Sequence, residues 1–323
     1  MEFAGSIVIF VVAAAATATL GMAFRWVDRK VTARVQWRVG PPITQPFWDV
    51  LKLMGKENLM PVTARGTGFL LAPIVAVAST AVVAAVLWRA VLQPDTAFMG
   101  DLIVVIYLLT IPAIMTIVGA SASGNPSAAV GASREMKLLL SYELPLFVAI
   151  LTAVSRGGWT FQLGGLLTAQ HAGAPVVWSV SGALAFLIAI VCMQAKLGQV
   201  PFDLAEAECE IQSGVFVEYS GPSLAMFLLA RMMLLALMPL LLIVVFWGGL
   251  YADPVSGSVP WWAWLSFLGK YVLLVALVTL IRNTNPRLRI DQTLRFFWFR
   301  LTPLAIGAAI LALVGREKGL PWL

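Results

Sequence analysis

The sequence has 323 residues, of which 60% are hydrophobic and 12% are charged, and its mean hydropathy is +0.89. This composition excludes an ordinary soluble domain, in which about 25% of residues are charged. It predicts a polytopic membrane protein. The formal net charge of +6 needs no nucleic-acid partner, because basic loops beside membrane spans account for it.

Eight apolar stretches have roughly the 20 residues needed to cross a bilayer. An open chain in lipid must satisfy its backbone polar groups internally, so each stretch is predicted to be a helix. No internal repeat or separate soluble domain is visible, and residues 1–323 are predicted to form a single, all-α integral-membrane domain. The predicted spans are 3–24, 68–88, 102–122, 138–155, 176–195, 223–247, 260–281 and 297–314.

The basic residues are divided unevenly between the two sides of this bundle. Sixteen of the 22 Lys and Arg lie on one side, in or beside the loops 25–67, 123–137, 196–222 and 282–296. The positive-inside rule places that side in the cytoplasm and both termini outside, in a multi-pass protein of the inner membrane. The basic residues on the opposite side are Arg89, Arg156, Arg316 and Lys318.

The first basic loop contains a short amphipathic segment. A helix beginning near Pro46 would place four apolar side chains on one face and charged side chains on the other. This pattern predicts a helix that lies on the membrane surface or under a partner subunit, with neither alternative favoured. The four apolar residues are Phe47, Val50, Leu51 and Met54.

The predicted loop between spans 5 and 6 is strongly acidic. A short helix over 203–210 would bring Asp203, Glu206 and Glu210 onto one face. Carboxylates this close repel one another, which predicts raised pKa values and proton exchange. A solvated acidic loop explains the spacing equally well. The acidic residues of 196–221 are Asp203, Glu206, Glu208, Glu210 and Glu218.

Three charged residues lie well away from the ends of the predicted spans: Glu143, Arg231 and Lys270. Such residues are costly in lipid and by default indicate an ion or proton path, although structural pairing or snorkelling to the interface are alternatives. Glu143 lies about 12 Å deeper than Glu135 if the helix is continuous. Pro145 is expected to loosen the helix beside it.

Two further patterns concern cofactors and the last basic loop. Two cysteines and one histidine, Cys192, Cys209 and His171, have no iron–sulfur or nickel spacing, so no metal ligand is predicted and any redox centre is expected on another polypeptide. In the loop that follows span 7, arginines including Arg289 surround Asp291. This arrangement predicts a fixed ion-pair network.

Five motifs together resemble the subunit 1 family of respiratory complex I. That resemblance implies eight transmembrane helices and a position between the hydrophilic redox arm and the membrane ion-translocating arm. In complex I the family also contributes to the quinone chamber. The motifs are ARVQWRVGPP at 33–42, QPFWDVLKLMGKE at 45–57, SYELP at 141–145, PFDLAEAECEIQSGVFVEYSGP at 201–222 and RIDQTLRFFW at 289–298.

One departure separates branches of this family. Complex I members usually carry several extra residues between the GP turn and the QPxxD segment, whereas GPPITQP connects the two directly here. The compact form resembles the membrane subunit of group 4 energy-converting [NiFe]-hydrogenases, which reduce no quinone. A quinone-chamber subunit is the alternative. A stand-alone transporter is disfavoured, because no duplicated halves are visible.

The resemblance implies a non-redox subunit that couples hydrogen formation in partner subunits to proton or sodium translocation. The implied partners are the hydrogenase large and small subunits, a ferredoxin-like iron–sulfur subunit and an antiporter-like membrane subunit. The [NiFe] centre and the iron–sulfur clusters are expected on the first three of these. The expected relay residues are Glu143, Asp203, Glu206, Glu208, Glu210, Glu218, Arg231 and Lys270. Expected to structure loops or dock subunits are Arg34, Arg38, Arg134, Glu135, Arg289 and Asp291.

Overall fold

The computed structural model describes residues 2–64, 66–96, 100–212, 214–251, 259–320 and 322; the side chains of 2–6, 208 and 209 are not described. Every regular element in these ranges is helical, as expected. The α-helices are α1 Glu2–Val35, α2 Gln45–Met54, α3 Gly66–Leu92, α4 Asp101–Leu108, α5 Ile111–Ala122, α6 Pro126–Arg156, α7 Leu163–Ala172, α8 Val180–Lys196, α9 Glu208–Ile211, α10 Gly221–Phe246, α11 Trp261–Thr284, α12 Ile290–Arg295 and α13 Thr302–Glu317.

Within the described ranges, seven helical stretches are long and apolar enough to cross a membrane, one fewer than the eight predicted. The difference is the fifth predicted span, which forms the 17-residue helix α8 and falls below the length of the others. The third predicted span consists of α4 and α5, which are separated by a turn ahead of Pro112. Proline is favoured in the first turn of a helix, so Pro112 suits the restart there.

Helix α10 lies at the centre of the bundle. It packs against α1, α3, α8 and α11. Within an apolar stretch of 18 residues, 83% of α10 is buried, compared with 22% of the corresponding stretch of α1. An apolar surface all round is typical of a helix surrounded by other helices. We call the end of the bundle that carries the connections 36–44, 123–125, 197–220 and 285–289 the basic face, and the other end the opposite face.

The predicted surface helix exists as α2. It is tied to α1 by an ion pair of 2.7 Å between Arg29 and Asp49. Partial burial opposes ionisation of this carboxyl, but hydrogen bonds from Arg29 and Gln45 outweigh it and lower the pKa of Asp49. The apolar residues Phe47 and Leu51 remain exposed. This face of α2 is therefore available to a membrane or to a partner.

Gly21 marks the closest approach of α1 to α10. A Cβ atom at Gly21 would overlap the main-chain carbonyl of Met232 in α10. Because backbone cannot move aside as a flexible side chain can, the two helices are in contact only while residue 21 has no side chain.

The substitution Gly21→Ala should destabilise the α1–α10 contact by about 1–3 kcal/mol, because the helices must separate to admit one methyl group. A lowered thermal midpoint of the purified complex would show this effect. The matched control is Gly269→Ala in α11, where an added Cβ meets no neighbouring atom and should leave the midpoint unchanged or slightly raised. Equal midpoints for the two variants would contradict the prediction.

Candidate functional site

A cavity of about 370 Å³ lies beneath the connections of the basic face, between α1, α2, α10 and the segment that follows α8. Ionisable side chains provide much of its lining, six of them basic and three acidic. We call it the charged cavity. Its ionisable residues are Arg25, Arg29, Asp49, Lys52, Lys56, Asp203, Glu206, Arg231 and Arg282.

The acidic segment contributes to this region through ion pairs rather than through mutual repulsion. Three of its carboxylates each meet an arginine from a different helix or connection. Two of these pairs are 2.6 Å long, and the third joins the segment to the buried helix α10. The pairs are Asp203 with Arg287, Glu206 with Arg231, and Glu210 with Arg134.

Residues 203–207 form a loop, and regular α-helix in this segment is confined to α9, which begins at Glu208. Asp203, Glu206 and Glu210 each extend toward a different arginine. The side chain of Glu208 lies outside the described residues. Glu210 is not one of the carboxylates with a raised pKa, because a hydrogen bond from Arg134 lowers the pKa of this exposed carboxyl.

A buried acid that sequence reasoning missed holds one wall of the charged cavity. Asp28 in α1 is 1% exposed and pairs with Arg25 at 3.2 Å and with Arg282 of α11. A buried carboxylate is tolerated when it is paired in this way. Asp28 therefore holds two of the cavity's arginines and joins α1 to α11.

A second, smaller cavity of about 40 Å³ adjoins the first. Its lining includes Glu135, Lys196 and Thr116. Arg231 and Gly198 line both cavities. A space of this size holds at least one water where polar groups surround it. Glu135, which we expected to structure a loop, thus faces the interior.

Glu143 lies beyond the small cavity, on α6. One of its carboxylate oxygens is 3.9 Å from the Nζ of Lys196, whose side chain is 2% exposed and lies 5.5 Å above the Tyr142 ring. That oxygen is buried and makes no hydrogen bond with any described residue. The expected loosening at Pro145 is not observed, since α6 continues without a break from Pro126 to Arg156. The pair is therefore held between α6 and α8 without a break in either helix.

Two of the predicted relay residues occupy other positions. Glu218 accepts a hydrogen bond of 2.6 Å from Asn125, which caps the start of α6, and it is not among the residues that line the two cavities. Lys270 donates to the carbonyl of Trp247, at 2.9 Å, and to that of Gly249. Lys270 therefore caps the C-terminal end of α10, where the helix dipole favours a cation.

The sequence matches a known family over nearly its whole length. The family model described as NADH dehydrogenase matches residues 6–313. The chain belongs to this family. Among its relatives, a subunit of the NADH-quinone oxidoreductase of Anoxybacillus flavithermus is 36% identical over 290 residues, which cover 86% of this chain and 84% of the relative.

Other members of the NADH dehydrogenase family agree in length and fold. The corresponding NADH-quinone oxidoreductase subunit of Vesicomyosocius okutanii is 31% identical over 318 residues, covering 93% of this chain and 87% of the relative. A chain from the structure of the membrane-bound sulfane sulfur reductase, an archaeal respiratory membrane complex, superimposes with a TM-score of 0.85 at 30% identity. The match covers 95% of this chain and 99% of that chain. The protein is therefore a membrane subunit of a complex I-like oxidoreductase.

The remaining predicted docking residues of this family member lie on the basic face. Arg34, Arg38 and Arg289 are exposed there. The prediction that Asp291 organises the arginines is wrong, because Asp291 is exposed and forms no ion pair with any described side chain. Arg282 is held instead by the buried Asp28.

Sequence reasoning missed Lys196 as well as Asp28. Lys196 ends an apolar helix on the basic face, so it resembled an ordinary positive-inside flank. A signal for Asp28 was present, since an acid one turn after Arg25 in a long helix predicts an i,i+3 pair.

The Arg134–Glu210 contact should depend on pH. Because the pKa of Glu210 is lowered by folding, the stabilisation is present above the ordinary carboxyl pKa of about 4.3 and is lost as the pH falls through the lowered value. Hydrogen exchange of residues 205–217, corrected for intrinsic rates, should therefore accelerate at acid pH. Glu210→Gln should already exchange fast at pH 7, whereas the exposed Asp291→Asn should match the wild type.

Lys270→Met tests whether this lysine supports structure or ion transfer. We expect loss of the two carbonyl contacts to reduce stability by about 1–2 kcal/mol, measured as a lowered thermal midpoint of the purified complex. Ion translocation per turnover in vesicles should stay at the wild-type value. A loss of ion translocation with an unchanged thermal midpoint would instead indicate that Lys270 takes part in ion transfer.

Proposed function

We propose that this chain is the ion-translocation-coupling subunit of an energy-converting [NiFe]-hydrogenase. In this proposal the chain itself holds no redox centre. The hydrogenase large and small subunits and a ferredoxin-like subunit carry the [NiFe] centre and the iron–sulfur clusters. An antiporter-like membrane subunit adjoins the bundle and moves protons or sodium ions.

The observation that carries the proposal is the charged lining of the large cavity. Binding pockets for apolar cofactors are lined mainly by hydrophobic and aromatic side chains with a few polar groups. Nine ionisable residues favour a hydrated chamber that exchanges protons over a site for a quinone ring. The direct GPPITQP connection, without the residues that usually shape a quinone cavity, supports the same branch.

The two cavities and Glu143 suggest a route for charge. Arg231 lines both spaces, and Lys196 lines the small one and also approaches Glu143. Protonation of Glu143 would cancel its attraction for Lys196, so the pair has two electrostatic states. Moving one charge against the membrane potential costs about 2.3 kcal/mol per 100 mV, and a two-state element of this kind can couple that cost to a redox step.

The proposed orientation puts the basic face in the cytoplasm and both termini outside. This orientation requires eight spans, so α8 must cross the membrane in addition to the seven longer helical stretches. At 1.5 Å per residue the 17 residues of α8 cover about 25 Å, and the short 3₁₀ turn Val176–Trp178 just before it lengthens the apolar segment. The exposed apolar face of α2 is then positioned to contact the cytoplasmic partner subunits.

The relatives' names favour a second candidate, a quinone-reducing complex. The relatives compared above are named as subunits of NADH-quinone oxidoreductases. In that case the charged cavity would be the inner part of a chamber whose apolar portion a partner subunit completes.

The experiment uses the intact complex in sealed vesicles with reduced ferredoxin as donor. Hydrogen evolution without added quinone is expected, accompanied by ion movement. Glu143→Gln should leave hydrogen evolution measurable while ions moved per hydrogen fall by about tenfold or more, because the amide cannot bind or release the proton.

The matched control is Asp95→Asn, an exposed acid on the opposite face, which should behave as the wild type. Turnover that requires quinone and produces no hydrogen would support the quinone-reducing candidate. Unchanged ion movement in Glu143→Gln would remove Glu143 from the relay whichever reaction the complex catalyses.

A further inference from the structure

A third cavity, of about 360 Å³, lies on the opposite face, far along α6 and α13 from the basic connections. It is formed where these two spanning helices end side by side. Arg156 occupies the last turn of α6, and Arg316 occupies the last turn of α13. Both arginines line the cavity, together with Ser155 and Leu320.

The cavity exists because both helices stop in the same way. After α6, the N–H of Trp159 donates to the carbonyl of Val154, and after α13 the N–H of Leu320 donates to that of Gly315. Such closures place glycines at positive φ, here Gly158 at +89° and Gly319 at +63°. A Cβ at either glycine would point into open space, so the two turns leave a gap instead of filling it.

The positive charge around this third cavity is unusually concentrated for the opposite face. Besides Lys270, which caps α10, four basic residues lie on the opposite face, and three of them, Arg156, Arg316 and Lys318, belong to these two helix ends. Glu317 offsets one charge. Helix dipoles explain a single cation at each end but not a shared cavity between them. The concentration favours an anionic ligand.

The arginines are arranged to hold that ligand at the membrane boundary. Arg316 donates to the main-chain carbonyl of Ser155 at 3.3 Å, which fixes it across α6, and a guanidinium has five N–H donors in all. Arginine forks match phosphate oxygens in pairs. The next residue after the cavity glycine, Trp159, is 49% exposed, as is typical of tryptophan at headgroup level.

We propose that this cavity binds the phosphate of an anionic phospholipid, with Arg156 and Arg316 on the phosphate and with Leu320 and Trp159 against the glycerol and upper acyl chains. A lipid is favoured over free phosphate because the site lies at the ends of two spanning helices and offers apolar surface beside the charges. The inference requires that the chain is embedded in a bilayer and is independent of the hydrogenase proposal.

The first test uses the wild-type complex, delipidated in a neutral detergent, so that it does not depend on any variant folding. Photoactivatable phosphatidylglycerol is added and the crosslinked peptides are mapped. Crosslinks are expected within 155–159 and 315–320. They should be competed away by unlabelled phosphatidylglycerol or cardiolipin, but neither by phosphatidylcholine nor by millimolar inorganic phosphate.

The second test compares variants of the same complex. The double variant Arg156→Gln/Arg316→Gln should lower crosslinking at these two peptides by about tenfold or more, since each cation near a lipid surface contributes about one kcal/mol. Arg156→Lys/Arg316→Lys should restore part of it, because lysine keeps the charge but lacks the paired donors. Arg89→Gln removes another arginine of the opposite face, one that donates to Thr96 and does not line this cavity, and should change nothing.

Three outcomes would overturn the proposal. One is crosslinking confined to the basic face. Another is equal competition by phosphatidylcholine, which would mean nonspecific lipid contact. The third is displacement by inorganic phosphate, which would identify a free-anion site. If the glutamine variant fails to assemble, the lysine variant and the wild-type competition still decide.

Discussion

The arrangement depends on one constraint, the placement of Arg231 within the most buried helix of the bundle. A guanidinium is costly against lipid, and a carboxylate partner stabilises it at this place in the bundle. Glu206 is that partner, and the Phe216 ring lies 4.4 Å from the guanidinium carbon. The acidic segment is thereby drawn against α10, and the charged cavity forms on one side of this contact and the small cavity on the other.

The other ion pairs extend this principle across the basic face. Asp28 anchors arginines from α1 and α11, and Asp203 and Glu210 each fix a further arginine from outside the segment. All of these pairs except Arg25–Asp28, which lies within α1, join elements distant in sequence. Together with buried apolar side chains such as Phe202, Leu204 and Val215, these pairs hold the connections of the basic face in place.

The opposite face is stabilised differently. Gln170 from α7 donates to the carbonyls of Val244 and Val245 in the last turn of α10. Lys270 from α11 and His171 from α7 contact the carbonyls of Trp247 and Gly248, which follow that turn. These contacts satisfy a helix end that would otherwise be costly in a bundle surrounded by lipid. A membrane-embedded lysine can thus serve backbone satisfaction, and its depth alone does not indicate a transport role.

The sequence alone determined the helical class, the family and the position of nearly every span, because apolar runs of spanning length and the five motifs are local signals. It placed Glu143 inside a helix and α2 on the surface for the same reason. The pairing of charges was decided by the tertiary structure. The partners of Asp203, Glu206 and Glu210 could not be found from the sequence, and the network predicted around Asp291 was wrong, because a carboxylate pairs with whichever arginine the fold brings to it. Arg231, Arg134 and Arg287 come from elements that the chain order does not place together.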